Sequence, residues 1–386
     1  MCPPSPRTSV QDASRHHVEA ASPPGATEDS LRAAGRAGGS SLALDQWRGL
    51  ALVLVLIAHA FHTTGRVDGL GRVGVNLFFF ISGILVFRSL AGADGAGAWA
   101  HARSFWWRRL RRLYPALLAY VLVMTLAEPW LQHLPGQPEG SDFATFVRYL
   151  PAALFCYINY TISLPNVLGH LWSVACEMQF YLLGPLLFIL ARDKSGRGRM
   201  VCEWTLLGLM FFGLLQPLLT IYWDPYKYQF QYAAWPMMLG FWCEYQRDWL
   251  DRWPTRWLAA LFKGLAGFCL AASPIMFLGP RMKIPTVALG ALLLAPCLLA
   301  YARNWPFGRS YGGAALAWLG RRTYSIYLWQ QAFTICYFLP VPWWPLGAVV
   351  SVFVGAVWFQ WFEVPFLSSR RRPHPASALP SECVAK

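Results

Sequence analysis

Leu44-Asp45-Gln46-Trp47-Arg48-Gly49 leads into an apolar run that closes on Ala58-His59-Ala60-Phe61-His62. A charge pair at a water boundary feeds a membrane helix that carries a histidine. Arg48 and His59 stand eleven residues apart. That is close to a whole number of helical turns, so both side chains fall on one face with about 16 Å of rise between them. The arginine is placed at one water boundary and the imidazole near mid-membrane. A titratable group at that depth is costly, and function is its default explanation. The alternative is a histidine satisfied by polar groups on neighbouring helices.

The rest of the chain repeats the pattern. Of its 386 residues 56% are hydrophobic and 13% charged, against about 25% charged in a soluble domain. Apolar runs near the bilayer-crossing length recur throughout. The fold class is therefore all-α, a polytopic integral membrane protein. One membrane domain over 42–367 lies between a disordered N-terminal tail, 1–41, and a cytoplasmic C-terminal tail, 368–386. The first of these is rich in Ala, Gly, Ser, Pro and Arg and lacks the apolar core of a signal peptide. The net charge of +14 does not argue for nucleic acid as a partner. The basic residues form short clusters between apolar runs, as topology selection produces. The nine cysteines are scattered without a CxxC or Cys/His cluster, so neither a metal site nor a disulfide frame is supported.

Oriented by Lys and Arg, the apolar runs predict about ten crossings: 46–63, 73–91, 113–131, 171–191, 201–222, 231–246, 257–278, 285–302, 323–339 and 345–367. Both termini fall in the cytoplasm, and the plasma (inner) membrane is the expected location. Only Arg66, Arg72, Arg148, Lys227, Arg281 and Lys283 then lie on the outer side. The stretch 143–163, with Arg148, Pro151 and Asn159, is predicted to be re-entrant or interfacial, because a full crossing there would flip every later loop and destroy the charge bias. A loop carries Arg303, Arg309, Arg321 and Arg322 into the ninth crossing.

The fourth crossing opens His170-Leu171-Trp172-Ser173 and continues to Glu177 and Tyr181. Ser173, Glu177 and Tyr181 recur every four residues, one polar stripe that His170 joins. Glu177 lies about 10 Å inside the outer boundary, a level that His59 reaches from the other side. A carboxylate that orients an imidazole in a low-dielectric cavity suits base chemistry; a polar clamp between two helices is the bland alternative. Ser82-Gly83 in the second crossing favours close helix approach over a nucleophilic role for Ser82, and Asn76 can hydrogen-bond near the outer rim. The cluster Arg108-Arg109-Leu110-Arg111-Arg112 is either an inner-face anchor or a phosphate clamp. Glu363 is positioned to pair with one of these arginines.

These motifs resemble, in order, those of membrane acyltransferase family 3. The resemblance covers Leu44-Asp45-x-x-Arg48-Gly49 with His59, then Gly74-Val75-Asn76-Leu77-Phe78-Phe79-Phe80-Ile81-Ser82-Gly83. The arginine cluster with Tyr114-Pro115 and His170-Leu171-Trp172-Ser173 through Tyr181 follow. Leu319-Gly320 with Tyr324-Ser325-Ile326-Tyr327-Leu328-Trp329 and Glu363-Val364-Pro365-Phe366 complete it. It implies a carbohydrate O-acyltransferase in stand-alone form. Such an enzyme moves an acyl group, by default acetyl, from acyl-coenzyme A to a hydroxyl of a carbohydrate or glycolipid. Acetyl-CoA is then a co-substrate, with no permanently bound cofactor, and membrane lipid is the surrounding partner.

Under the resemblance His59 and Glu177 are catalytic. Arg48 and the set Arg108, Arg109, Arg111 and Arg112 hold the donor, with the paired register either Arg108/Arg111 or Arg109/Arg112. Asn76, Ser82, His170, Trp172, Ser173 and Tyr181 line the acceptor site. Direct transfer and an acyl-histidine relay both stay open. Asn76 stands where the family usually has Asp, and Gln330 where it usually has His. Neither departure is expected to touch the Arg48/His59 pair. The competing readings are a proton-coupled sugar or lipid transporter with His59 and Glu177 as relay, and a non-catalytic scaffold.

Overall fold

The computed structural model describes residues 28–61, 68–91, 97–131, 143–161, 167–193, 195–219, 228–250, 252, 310–336 and 343–368. The chain forms two units, Met1–Ser41 and Leu42–Lys386. Among the described residues every regular element is helical. In order they are α1 (Glu28–Ala60), α2 (Asp68–Ala91), α3 (Ala98–Leu131), α4 (Phe143–Leu154), a 3₁₀ turn (Ile158–Tyr160), α5 (Leu171–Ala191) and α6 (Arg197–Leu219). Then come α7 (Phe230–Ala233), α8 (Trp235–Tyr245), α9 (Arg247–Leu250), α10 (Tyr311–Arg321), α11 (Thr323–Gln331), α12 (Trp344–Phe362) and α13 (Val364–Ser368). Five stretches are long and apolar enough to cross a bilayer: Leu42–Ala60, Leu70–Ala91, Ala98–Trp130, Leu171–Ala191 and Trp344–Phe366.

The bundle is apolar on its outward faces, and its largely apolar interior encloses a minority of buried polar groups. On α3 the exposed side chains Leu118, Leu122, Leu126 and Trp130 recur every fourth residue, one helical face. On α12 Val349, Phe353, Val357 and Trp361 do the same. Facing inward are Gln46, Asn76, Asn159, His170, Ser173, Gln330 and Glu363.

Helices approach closely where glycine removes the side chain. A Cβ on Gly83 would strike the Met237 carbonyl, and one on Gly240 the Phe80 carbonyl, so α2 and α8 meet backbone to backbone. The expected packing role of Ser82-Gly83 is thus met by Gly83. Gly49 against Leu316 and Gly320 against Asp45 bring α1 and α10 together in the same way.

Several elements differ from the expectation. Helix α1 starts at Glu28, inside the stretch read as a tail; Ala, Leu and Arg favour helix without any apolar stripe. The arginine cluster, expected in a loop, lies on α3, which begins at Ala98. Hydropathy registers only the buried part of such a helix, while Trp, Arg and Leu carry it on below. The expected loop before the ninth crossing holds α10, whose Ser310 Oγ caps it by accepting from Gly313 N at 3.1 Å.

The sixth predicted crossing is broken at Ala234. Pro236 in the first turn of α8 starts a new helix, and the 11 residues of α8 fall short of the roughly 17 that a crossing needs. Helix α4 has 12 residues, about 18 Å, also less than a crossing. Asn159 and Gln179 tie that segment to α5 through reciprocal amide bonds of 3.1 and 2.8 Å. The predicted crossings 257–278 and 285–302 lie outside the described residues.

Candidate active site

The end of the bundle that the sequence expectation turns to the cytoplasm, called the inner end below and its opposite the outer end, is charged. Arg112 Nε lies 3.5 Å from Glu363 Oε2, and Ser325 Oγ donates to Glu363 Oε1 at 2.6 Å. Glu363, 0% exposed, does pair with an arginine of the cluster. Asp45 meets Arg321 at 3.8 Å. The cluster's register follows from the faces of α3. The Arg109 guanidinium stands 4.9 Å from the Tyr181 ring and 5.3 Å from that of Phe105. Arg109 and Arg112, three residues apart, therefore both address the bundle. Arg108 instead bonds Ser104 one turn back, and exposed Arg111 lies against Trp107 at 5.9 Å. Arg48 is within electrostatic reach of Arg112, Glu177, Asp45 and Tyr181.

Above the arginines sits Glu177. Its Oε1 accepts from Ser82 Oγ at 2.6 Å and from the Tyr181 hydroxyl. Trp106 Nε1 fixes this turn by donating to the Tyr181 carbonyl at 2.9 Å. One turn further out, Ser173 Oγ and the Tyr327 hydroxyl lie 2.7 Å apart, and both donate to the His170 carbonyl, at 3.1 and 3.3 Å. The polar stripe of α5 thus faces the interior along its whole length.

At the outer end the His59 imidazole donates from Nδ1 to Oε1 of Gln330. His170 is the next titratable neighbour, within electrostatic reach of His59. Its backbone N–H donates to Gln331 Oε1 at 2.8 Å. Its ring packs edge-on against Tyr120 at 5.6 Å and tilted against Tyr327 at 5.6 Å. Trp172 stacks on Tyr228 at 4.6 Å, with the Arg72 guanidinium 5.3 Å from the Trp172 ring. Asn76 is buried nearby in sequence on α2, at 6% exposure.

Three expectations change. His59 occupies the last turn of α1, which ends at Ala60, so it lies at the end of the helix rather than within it. Second, the described hydrogen bonds of Glu177 run to Ser82 and Tyr181, and its charge acts on Arg48. The carboxylate therefore serves the arginine level, about two turns inward of His170. Third, Gln330 bonds His59 directly, so one of the two sequence departures does touch the pair. Gln330 is 271 residues from His59, and no local pattern reports such a partner. Its one signal in the sequence is that Gln stands where the family pattern usually has His.

An all-helical membrane bundle with an interior histidine at one end and converging arginines at the other defines a membrane-embedded group-transfer fold. The chain belongs to acyltransferase family 3: the sequence profile described as an acyltransferase domain matches residues 41–362. The chain is similar to the peptidoglycan O-acetyltransferase OatA of Listeria monocytogenes, 26% identical over 316 residues, 74% of this chain and 48% of that protein. It is also similar to YrhL of Bacillus subtilis, named a candidate peptidoglycan O-acetyltransferase, 27% identical over 309 residues, 73% of this chain and 47% of that protein. A candidate O-acetyltransferase of Staphylococcus aureus is 24% identical over 375 residues, 84% of this chain and 56% of that protein. The chain thus spans about half the length of the curated relatives it matches. No solved structure matches it. The family gives the transporter reading no support.

Proposed function

We propose that the chain transfers acetyl from acetyl-coenzyme A, bound at the inner face, to a hydroxyl of a cell-envelope glycan presented at the outer face. The names of its relatives favour peptidoglycan. A plasma-membrane bundle, with 143–163 re-entrant and both termini inside, gives the sidedness this needs. Arg48, Arg109 and Arg112 converge at one level and suit the donor's phosphates, for which paired guanidiniums are good ligands. Trp172, with Arg72 and Tyr228, suits the face of a sugar ring.

The observation that carries the reading is the bond from His59 Nδ1 to Gln330 Oε1. An imidazole whose Nδ1 proton is held by an acceptor carries its basic lone pair on Nε2. That atom removes the acceptor hydroxyl's proton as the oxygen attacks the thioester carbonyl, then returns it to the leaving thiolate. Glu177 fixes Arg48 and Tyr181 beneath the reaction.

The test is mass spectrometry of cell-wall glycans from cells with and without the chain. An acetyl increment lost with the chain and restored by its return supports the reading. An unchanged glycan profile rejects it.

A further inference from the structure

Gln330 is fully buried, and its two polar atoms are treated differently. Oε1 receives the His59 Nδ1 proton and lies 3.5 Å from Thr334 Oγ1. Among the described residues Nε2 has no hydrogen-bond partner. A buried amide group is seldom left so, because its lost hydration is not replaced. Beside it Trp329 Nε1 likewise has no hydrogen-bond partner among the described residues. The backbone also changes here, from α11 into the π turn Ala332–Cys336. Such turns break regular spacing and recur at functional sites. Helix packing alone would have surrounded these positions with apolar side chains or closed hydrogen bonds. They hold instead unspent donors beside a histidine whose tautomer is set.

We propose that the Gln330 carboxamide is shared between His59 and the substrate, with Oε1 holding the imidazole while Nε2 donates to the oxygen of the reacting acyl carbonyl. The inference rests on the acetyl-transfer reading above and assigns a catalytic residue to it. The hydroxyl's proton passes to His59 Nε2 as its oxygen bonds the carbonyl carbon of an acyl thioester. The carbonyl π pair moves onto oxygen, where Gln330 Nε2–H receives the charge. When that pair returns, the carbon–sulfur bond breaks and the thiolate leaves with the proton from His59. One amide thus orients the base and stabilises the oxyanion, so both groups share a single geometry.

The experiment uses the full chain in phospholipid nanodiscs, with labelled acetyl-coenzyme A and solubilised peptidoglycan strands as probes. Gln330→Glu keeps an oxygen for His59 Nδ1 but loses the donor; Gln330→Met loses both. Each is measured at the plateau of its own pH profile. Both variants are expected to fall about 10²- to 10³-fold in kcat, with KM for acetyl-coenzyme A little changed. A Gln330→Glu enzyme within threefold of the parent would overturn the proposal, leaving the amide as a tether for His59 only. Should either variant lose its monodisperse elution, the parent carries the test through a dithioester donor, whose carbonyl oxygen is replaced by the weaker acceptor sulfur. A slowing beyond that of the uncatalysed reaction supports the proposal, and an equal slowing overturns it. A parent that transfers nothing from either donor removes the acetyl-transfer reading itself, a failure distinct from that of the Gln330 role.

Discussion

The two ends of the bundle differ in whether their buried polar groups face an opposite charge. At the inner end carboxylates are met by partners: Glu363 by Arg112 and Ser325, Asp45 by Arg321, Glu244 by Arg88 at 2.8 Å and Arg247 at 2.9 Å. At the outer end Gln330 Nε2 and Trp329 Nε1 have neither a hydrogen bond nor an opposite charge among the described residues, whereas Arg112 Nε and Glu363 Oε2 at the inner end make no hydrogen bond but face each other as an ion pair. An ion-paired level is a stable platform whose geometry does not wait for a ligand. A level of buried, unspent donors is tolerated at a cost in stability and is completed when substrate arrives. The contrast separates holding from reacting, and it predicts that stability and activity will respond to mutation in opposite halves of the molecule.

The largest stability effect should come from the inner end. Glu363→Ala strips Arg112 of its buried partner and should cost about 3–5 kcal/mol, read as a large fall in melting temperature in detergent. Glu363→Gln, which keeps an acceptor for Ser325, should cost less. If Glu363→Ala melted like the parent, the inner end would not be the platform described. Glu177→Gln should fall between the halves. It removes charge from beside Arg48, so transfer should drop about 10- to 100-fold while stability changes by about 1–3 kcal/mol, the penalty for a weakened buried hydrogen-bond network.

At the outer end His170→Phe keeps an aromatic ring against Tyr120 and Tyr327 and loses the imidazole's contacts with the Leu328 backbone and Gln331. Its stability should stay within about 1 kcal/mol of the parent, with transfer reduced. A strongly destabilised His170→Phe would sharpen the comparison by showing that the outer level is also structural.

The smallest effect belongs to the loop between α5 and α6. Asp193 accepts from Ser195 N, Ser195 Oγ and Gly198 N, which holds its carboxyl below the usual aspartate range. Its contribution is therefore complete above about pH 4 and fades as pH falls through the lowered value. Asp193→Asn should separate from the parent in a melting series at neutral pH and converge with it in acid.

Much of this was legible in the sequence, for identifiable reasons. Helical periodicity put Arg48 and His59 on one face, and both do point into the bundle. It also put Ser173, Glu177 and Tyr181 on one stripe, which α5 turns inward. Glu363 had few partners to choose from at the inner end and took Arg112. Periodicity, however, fixes a face and not a level. The depths of His59 and Glu177 depended on where α1 and α5 end, and helix ends are the least certain feature of an apolar run. The Arg109/Arg112 register needed α3 to be helical through the cluster, which hydropathy does not report. Gln330 was visible as a departure from the family pattern, but its contact with His59 spans 271 residues and is set by how α1 and α11 pack.

The central claim is that His59 carries out the transfer chemistry above an intact arginine level. Its most direct test is labelled acetyl transfer from acetyl-coenzyme A in membranes by the parent and by His59→Ala, with donor binding measured in parallel. The account predicts a loss of at least 100-fold in transfer with binding of acetyl-coenzyme A retained. Transfer by His59→Ala at the parent's rate would contradict it.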